Sequence, residues 1–518
     1  MKRLITFFIT IILLNGCHQI IENEKPNILL ILVDDMGFSD IGCYGGEVQT
    51  PNLDQLASEG IRFSRFYNTA KCFPSRACLL TGQYAQHNGM SKKPLVFKNA
   101  VTIAEVLREA GYRTLMTGKH HGEENPVYSG FDRYFGLKDG CSNHFNPGLQ
   151  REGEVVPAYK KGKQPREWGI DSVIYAPYTP PEKFFYTTDY FTNYAINYLE
   201  EYKNEDKPFF LYVAYTAPHD PLMVWPEVQK KYIGKYLVGY ETIRNRRFER
   251  QKKMGLIDKN FPLSPPTYEN WDTLSEADKI VRDSIMATHV AMIDRVDQNI
   301  GRILAKLKEL NKLDNTLILF MSDNGAQAQD NPESWLWAKG KVSDYGQPIG
   351  SMGRYTSLSL SWANVSNTPF RLYKSNSHEG GISTPLIIYW KGKIVQPGSI
   401  TSFPSHFIDI MPTIFEIIGA DYPEVYGNEK INPVDGISLY SVINGVNPQR
   451  DRSLFWQWQS GKAIRKNKWK LVSDNNRPWE LYDMETDETE INNLIEKYPD
   501  VAKELISDWG EWINESDK

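Results

Sequence analysis

Asn27-Ile28-Leu29-Leu30-Ile31-Leu32-Val33 followed by Asp34-Asp35 is the stretch on which the fold turns. Its apolar residues run on without alternating, the pattern of a strand buried on both faces inside a parallel sheet, and this places the chain among α/β proteins. The run stops at two adjacent carboxylates. In open α/β sheets the carboxyl ends of the strands are where ligands are held.

The same order recurs outward from this strand. Tyr112 to Met116 leads to Gly118-Lys119-His120-His121-Gly122, and the apolar run from Phe209 to Tyr215 leads to Ala217-Pro218-His219-Asp220-Pro221. Val290, Ile293, Val296, Ile300, Leu304 and Leu307 recur at helical spacing and feed Thr316 to Met321, which closes in Ser322-Asp323-Asn324-Gly325. Thr50-Pro51 opens a helix that stops at Gly60, and Thr102 with Glu105 is a capping box. Leu386 to Trp390 reads as a further strand and His406 to Gly419 as a helix. Residues 155–182 read as loop, 225–271 as an irregular surface insertion, and 331–367, with Trp335, Trp337 and Trp362, as an aromatic pocket wall. From residue 447 the pattern changes to short strand-like runs and a last helix over 501–511. The expected architecture is a large α/β domain over 27–446, its central, mostly parallel sheet flanked by helices. A small C-terminal antiparallel sheet packed with a helix follows over 447–518.

Of 518 residues 41% are apolar and 24% charged, values of a globular chain, and a net charge of -5 without a basic run excludes nucleic acid as the main partner. Lys2 and Arg3 precede an apolar run from Leu4 to Leu14 and then Asn15-Gly16-Cys17. Leu14 to Cys17 resembles a bacterial lipoprotein box, which makes 1–17 a signal peptide, Cys17 the lipidated residue and sole membrane attachment, and 18–26 a tether. A plain secretory signal is the alternative. Both predict export, to the periplasm or as an outer-membrane lipoprotein. Five cysteines, Cys17, Cys43, Cys72, Cys78 and Cys141, are too few for a dense disulfide framework and hold no C-x-x-C zinc pair. Whether Cys43 and Cys141 pair is left open.

Cys72-Phe73-Pro74-Ser75-Arg76 runs into Ala77-Cys78-Leu79-Leu80-Thr81-Gly82 and puts a cysteine at a helix N-terminus, where backbone N–H groups favour anions. From these residues alone Cys72 reads equally as an activated thiol, a metal ligand or a buried structural cysteine. Asp34, Asp35, Asp323 and Asn324 offer hard oxygen ligands at strand ends, a set suited to Ca²⁺ or Mg²⁺. Arg76, Lys119, His121, His219 and Lys374 sit at comparable places and together would form an anion pocket.

Cys72-x-Pro74-Ser75-Arg76-x-x-Leu79-Leu80-Thr81-Gly82 resembles the signature of the type I, formylglycine-dependent sulfatases of the alkaline-phosphatase superfamily. Val33-Asp34-Asp35, Thr117-Gly118-Lys119 with His121, Pro218-His219, Ser322 to Gly325, Lys374 with Glu379-Gly380-Gly381, and Trp479 to Asp483 extend the likeness over nearly the whole mature chain. The resemblance implies that a formylglycine-generating enzyme oxidises Cys72 to formylglycine (3-oxoalanine), whose hydrate is the nucleophile. It implies that Asp34, Asp35, Asp323 and Asn324 bind Ca²⁺ with residue 72, that Arg76 orients the hydrate, and that Lys119 and Lys374 hold sulfate oxygens. His219 would protonate the leaving alcohol, and His121 would deprotonate the second hydroxyl so that sulfate is expelled.

The chain departs from the family pattern at Phe73, where a small residue is usual, at His120, and at Arg371-Leu372-Tyr373 before Lys374. Arg371 and His378 are further candidates for substrate contact, beside Trp335, Trp337 and Trp362. The expected activity is exo-acting hydrolysis of sulfate monoesters on sulfated carbohydrates. A 3-sulfated galactose or N-acetylgalactosamine is suggested by the Asn367-Thr368-Pro369-Phe370-Arg371 region. The rival readings are a phosphate or phosphonate ester hydrolase of the same superfamily and a non-catalytic glycan-binding lipoprotein.

Overall fold

The computed structural model describes residues 25–160, 166–329 and 341–516. The expected signal peptide, all but the last two residues of the tether, and Trp335 and Trp337 lie outside the described residues. In chain order the elements that place the site begin with strand β1 (Asn27–Val33), helix α1 (Pro51–Glu59), β2 (Ile61–Phe63), α2 (Cys72–Thr81), α3 (Ile103–Glu109), β3 (Arg113–Gly118) and β4 (Arg133–Leu137). They continue with β5 (Trp168–Ile170), β6 (Val173–Tyr175), α4 (Thr187–Glu201), β7 (Phe209–Ala214), α5 (Tyr240–Met254), α6 (Glu276–Glu309) and β8 (Thr316–Ser322). Then come α7 (Leu360–Ser366), β9 (Leu386–Tyr389), β10 (Ser399–Thr401) and α8 (Ile410–Ile418). The C-terminal part holds β11 (Leu454–Trp458), β12 (Gly461–Lys466), β13 (Trp469–Ser473), β14 (Glu480–Asp483) and α9 (Pro499–Ser516).

A ten-stranded sheet in the order β10-β2-β9-β8-β1-β7-β3-β4-β5-β6 forms the centre. Its middle, from β8 to β4, is parallel, and antiparallel pairs lie on either side. All seven residues of β1 are buried. Ile28, Leu30 and Leu32 join an apolar layer with α2, α3 and α8, while Leu29, Ile31 and Val33 join the opposite layer with α1, α4 and α6. A strand covered by helices on both sides has no polar face to show, which is why its sequence does not alternate. β11 to β14 form a separate antiparallel sheet, against which α9 packs through Ala502 and Leu505 onto Ile464, Leu471 and Leu481.

Three expectations are corrected. The 155–182 segment is not all loop: β5 and β6 extend the main sheet, and Trp168 is fully buried. The 225–271 segment contains the long helix α5, whose Arg247 is wholly buried and clamped by Asp40 and Glu47, each at 2.7 Å. The apolar stripe of helix α5 is broken, because Arg244, Arg247 and Gln251 share its buried face with Tyr240, Ile243 and Phe248 and ion pairs hold Arg247 to the domain. Trp362 is no pocket wall. It lies on α7 with no exposure, its ring 4.5 Å from that of Tyr240, its Nε1 donating to the Arg282 carbonyl at 2.9 Å. Cys43, Cys72, Cys78 and Cys141 are all free, so Cys43 and Cys141 do not pair. Among the described residues no helix is long and apolar enough to cross a membrane.

Candidate active site

Strand register assembles the site. β1 pairs with β8 so that Val33 faces Ser322, and the next residues, Asp34 and Asp323, leave the sheet side by side. β7 sets Ala214 opposite both Leu32 of β1 and Gly118 of β3, which brings Lys119 to the same edge. The Lys119 N–H donates to the Ala214 carbonyl at 2.7 Å, and the Asp34 N–H to that of Ala217 at 3.1 Å, on the turn that carries His219. Helix α2 meets this edge with its N-terminus, where Cys72 is 2% exposed. Asp35 (φ 68°) and His121 (φ 64°) hold backbone conformations that side chains other than glycine's rarely adopt, strain of the kind that collects at functional sites.

Beneath Cys72 the charged groups interlock. Lys119 Nζ lies 2.6 Å from Asp34 Oδ2, Arg76 Nη2 lies 2.7 Å from Asp323 Oδ2, and Lys374 Nζ pairs with Asp35 Oδ1. Asn324 Nδ2 donates to Asp35 Oδ1 at 2.7 Å, the Asp35 N–H to Asp323 Oδ1 at 3.2 Å, and Arg76 Nη1 to the Lys119 carbonyl at 2.9 Å. All are buried. Burial alone would raise the Asp35 carboxyl, but His219, Lys374 and Lys119 hold it far below the usual range. Asp323 stays above its ordinary value because burial and the neighbouring Asp34 outweigh Arg76.

Asp34 Oδ1, Asp35 Oδ2 and Asn324 Oδ1 are buried and accept no hydrogen bond. Three buried hard oxygens without a hydrogen bond, Asp34 Oδ1 facing Arg76 at 3.7 Å and Asp35 Oδ2 facing His219 at 3.4 Å, fit a divalent cation such as Ca²⁺. Ligand atoms of Asp34, Asp35 and His219 lie within 4.8 Å of one another. Asp323 is engaged by Arg76 and the Asp35 N–H, so of the four expected oxygen ligands it is the one already committed.

Burial would raise the Cys72 thiol, yet the ammonium groups of Lys119, Lys374 and Lys71 bring it well below its ordinary value. His121 stands beside it and is lowered to about 4, chiefly by burial, so its imidazole is neutral near pH 7. His219 is the opposite case: burial would lower it, but Asp35 and then Asp34 raise it to about 10. Its Nδ1 lies 2.6 Å from the Asp220 carbonyl oxygen and 3.0 Å from Asp220 Oδ1, acceptors that keep the proton on Nδ1 and turn Nε2 toward Asp35, 3.4 Å away. Sequence reasoning missed Asp220, which orients this ring. An acidic residue directly after the histidine was its only trace.

Arg371 and His378 do not face the site. Arg371 Nη1 lies 3.3 Å from Glu480 Oε2, and donates to Tyr482 Oη at 3.1 Å and the Glu490 carbonyl at 3.0 Å. His378 is clamped between Asp474 Oδ2 (2.8 Å) and Glu480 Oε2 (3.0 Å). Both spend their polar groups fastening the C-terminal sheet to the Lys374 loop. The partners Asp474, Glu480, Lys470 and Glu490 were invisible to local pattern because they lie about a hundred residues away in the chain.

This clamp gives a pH prediction. Burial lowers His378, but Glu490 and the bonds to Asp474 and Glu480 outweigh it and raise the ring above 6.5. Burial raises Glu480, but the bonds from His378 and Tyr482 bring it down to about 2. The raised His378 stabilises fully below its unfolded value of 6.5 and loses this as pH climbs through the folded value. The depressed Glu480 stabilises above 4.5 and loses this as pH falls toward 2. Stability from the pair is greatest between pH 4.5 and 6.5. His378→Gln should flatten the fall in urea midpoint above pH 6.5; an unchanged slope would refute the clamp.

Comparison with known proteins bears on this site. The family described as Sulfatase matches residues 26–420, and that described as N-sulphoglucosamine sulphohydrolase, C-terminal, matches 371–514. An uncharacterized sulfatase of Schizosaccharomyces pombe is 32% identical over 94% of this chain and 93% of its own length. An arylsulfatase of Klebsiella aerogenes is 31% identical over 87% of this chain and 98% of its own. The solved structure of Ps i-CgsB in complex with k-i-k-neocarrahexaose superposes with a TM-score of 0.67 at 25% identity, covering 94% of this chain and 93% of that one.

Proposed function

The chain belongs to the sulfatase family and is a sulfuric ester hydrolase, and from that premise we propose that it is an exported enzyme that removes sulfate exo-fashion from sulfated carbohydrates. The observation that carries the reading is the buried interlock of Asp34, Asp35 and Asp323 with Lys119, Lys374 and Arg76 directly under Cys72. Three cations and a helix N-terminus converge there on the space a sulfuryl group needs. The carbohydrate reading takes support from the similar protein solved with a neocarrahexaose. Exo action takes support from the depth of the centre, where Lys119 has no exposure and a mid-chain unit of a polymer would not reach.

In this reading Cys72, matured to formylglycine, supplies the attacking hydroxyl. Asp34, Asp35 and Asn324, with Asp323 beside them, would hold Ca²⁺, which would supply positive charge for the sulfuryl oxygens. Lys119 and Lys374 bind the remaining oxygens of the ester, and Arg76 fixes Asp323 and the base of the pocket. His219, raised to about 10 by Asp35 and Asp34, carries a second proton on Nε2, the ring edge turned toward Asp35, and gives it to the leaving alcohol. His121, neutral and beside residue 72, takes the proton whose loss lets sulfate depart.

The test is release of inorganic sulfate from a panel of sulfated mono- and disaccharides. Activity on aryl sulfates alone would overturn the carbohydrate reading, and a preference for phosphate esters would overturn the assignment to sulfate. The panel must span sulfate positions, the 3-sulfates of galactose and N-acetylgalactosamine among them. Export through Cys17 is checked by fractionating cells that express Cys17→Ser. Chelation should stop turnover and lower Tm together, both restored by Ca²⁺; an unaffected Tm would remove the ion from Asp34 and Asp35. His219→Ala should slow sugar sulfates about 10²–10⁴-fold and activated aryl sulfates far less, because a good leaving group departs without its proton. Equal losses would contradict the acid role.

A further inference from the structure

Lys71, Phe73 and Trp458 meet half-buried beside Cys72, and none of them joins the ion pairs of Lys119, Arg76 and Lys374 with the aspartates. The Phe73 ring stands edge-on to His121, with centroids 5.6 Å apart, and edge-on to Trp458, 5.1 Å apart. The Lys71 ammonium lies 5.9 Å from the centre of the Trp458 ring. Trp458 ends β11, in which Leu454 and Trp456 are 1% and 2% exposed. Period two puts Trp458 on the same face as these two, at the point where that face emerges beside the N-terminus of α2.

Its position is rigid. Trp456 Nε1 donates to the Asn68 carbonyl at 2.7 Å, and Trp458 pairs with Gly461 across the turn. A Cβ at Gly461 would meet Asp474 Oδ1 at 2.4 Å, and Asp474 also grips His378 and the Ser377 N–H on the loop that carries Lys374. The turn bearing Trp458 and the loop bearing Lys374 are therefore one unit.

Among the described residues Lys71 makes no ion pair, whereas Lys119 and Lys374 are both spent on aspartates. A half-buried ammonium without a counter-ion is costly unless a ligand brings one. A half-exposed indole beside a charged, buried centre offers the flat apolar surface on which the C–H face of a pyranose rests.

We propose that Lys71, Phe73 and Trp458 form a subsite for the saccharide that carries the scissile sulfate. Trp458 stacks on the sugar ring, Phe73 closes the wall toward His121, and Lys71 pairs with a second anionic substituent, a carboxylate or a further sulfate. The inference rests on the carbohydrate reading above and narrows it to sulfated saccharides with at least one more negative charge.

The test is calorimetric binding to the full chain carrying Cys72→Ala, a background that sets maturation and turnover aside. Three disaccharides serve as probes: one monosulfated and otherwise neutral, one monosulfated with a uronic acid, one disulfated. The two dianionic probes should bind about tenfold tighter than the neutral one, Lys71→Gln should erase that gap, and Lys71→Arg should keep it. The stronger of the two gaps identifies the carboxylate or the second sulfate as the group recognised. Trp458→Ala should weaken all three about tenfold, with Trp458→Phe retaining most of the affinity. In the unaltered Cys72 chain, Lys71→Gln should raise KM for dianionic substrates more than it lowers kcat. For Lys71→Gln, equal losses on neutral and dianionic probes, or none, and for Trp458→Ala no loss on any probe, overturn the subsite while sulfate release from sugars leaves the enzyme's function standing. If no sulfated sugar binds or is cleaved, both fall.

Discussion

Cys72→Ala is expected to eliminate sulfate release, lowering kcat by at least about 10⁴-fold, while the chain folds and still binds sulfated ligand. Residue 72 is the first residue of α2, is 2% exposed, and lies above the aspartates and lysines without bonding to them. Its removal deletes the nucleophile's carrier and leaves Lys119 on Asp34, Lys374 on Asp35 and Arg76 on Asp323. The measurement is turnover on sugar and aryl sulfates beside thermal melting and ligand calorimetry. Residual activity near that of the unaltered chain would remove residue 72 from the chemistry. The mass of the peptide spanning residue 72 in active protein supplies the companion check, since an unmodified thiol in fully active enzyme would refute formylglycine. Cys72→Ser should behave like alanine in a host that does not convert serine.

Lys470→Met is expected to produce the largest loss of stability, about 3–5 kcal/mol, with the urea midpoint falling accordingly. Lys470 Nζ lies 2.7 Å from Glu379 Oε1 and 2.7 Å from Glu490 Oε1, and all three side chains are at most 2% exposed. Burial already holds the Glu379 carboxyl above its ordinary value; the Lys470 ammonium opposes this, and Glu490 adds to it. Without the ammonium two carboxylates face each other in a site water does not reach, and one must take up a proton or the segment must open. Replacing Glu379 and Glu490 by glutamine as well should recover much of the loss, because the uncompensated charge, not the missing contact, is the cost. A loss under about 1 kcal/mol for Lys470→Met alone would show that the triad is not the bond between the two sheets. Glu379 opens the helical turn Glu379–Ile382 at the end of the Lys374 loop, so this substitution should also raise KM by loosening Lys374.

Much of this molecule is legible without coordinates. The unbroken apolar run from Asn27 to Val33 declares a strand buried on both faces, because only such a strand can omit polar residues throughout. The carboxylates, lysine and histidines that end such runs fall at one edge of the sheet because parallel strands all deliver their carboxyl ends to the same side. The capping box at Thr102 and Glu105 forms as read, since its two hydrogen bonds span only one turn.

What tertiary structure alone decided is which polar groups spend their charge on whom. Arg371 and His378 looked available for substrate, and Trp362 looked like a pocket wall. The first two are consumed by Glu480, Tyr482 and Asp474 from the C-terminal sheet, and the third is core. Helix α5 carries too broken an apolar stripe to announce it: Arg244, Arg247 and Gln251 interrupt Tyr240, Ile243 and Phe248, and Arg247 pairs with Asp40 and Glu47 some two hundred residues away. Periodicity records what a residue does within its own element, and a strand or helix repeats often enough to be read from one chain. A salt bridge between distant segments leaves no period, so the partners of Lys374's loop, and the meeting of Trp458 with Lys71 beside Cys72, exist only once the chain has folded.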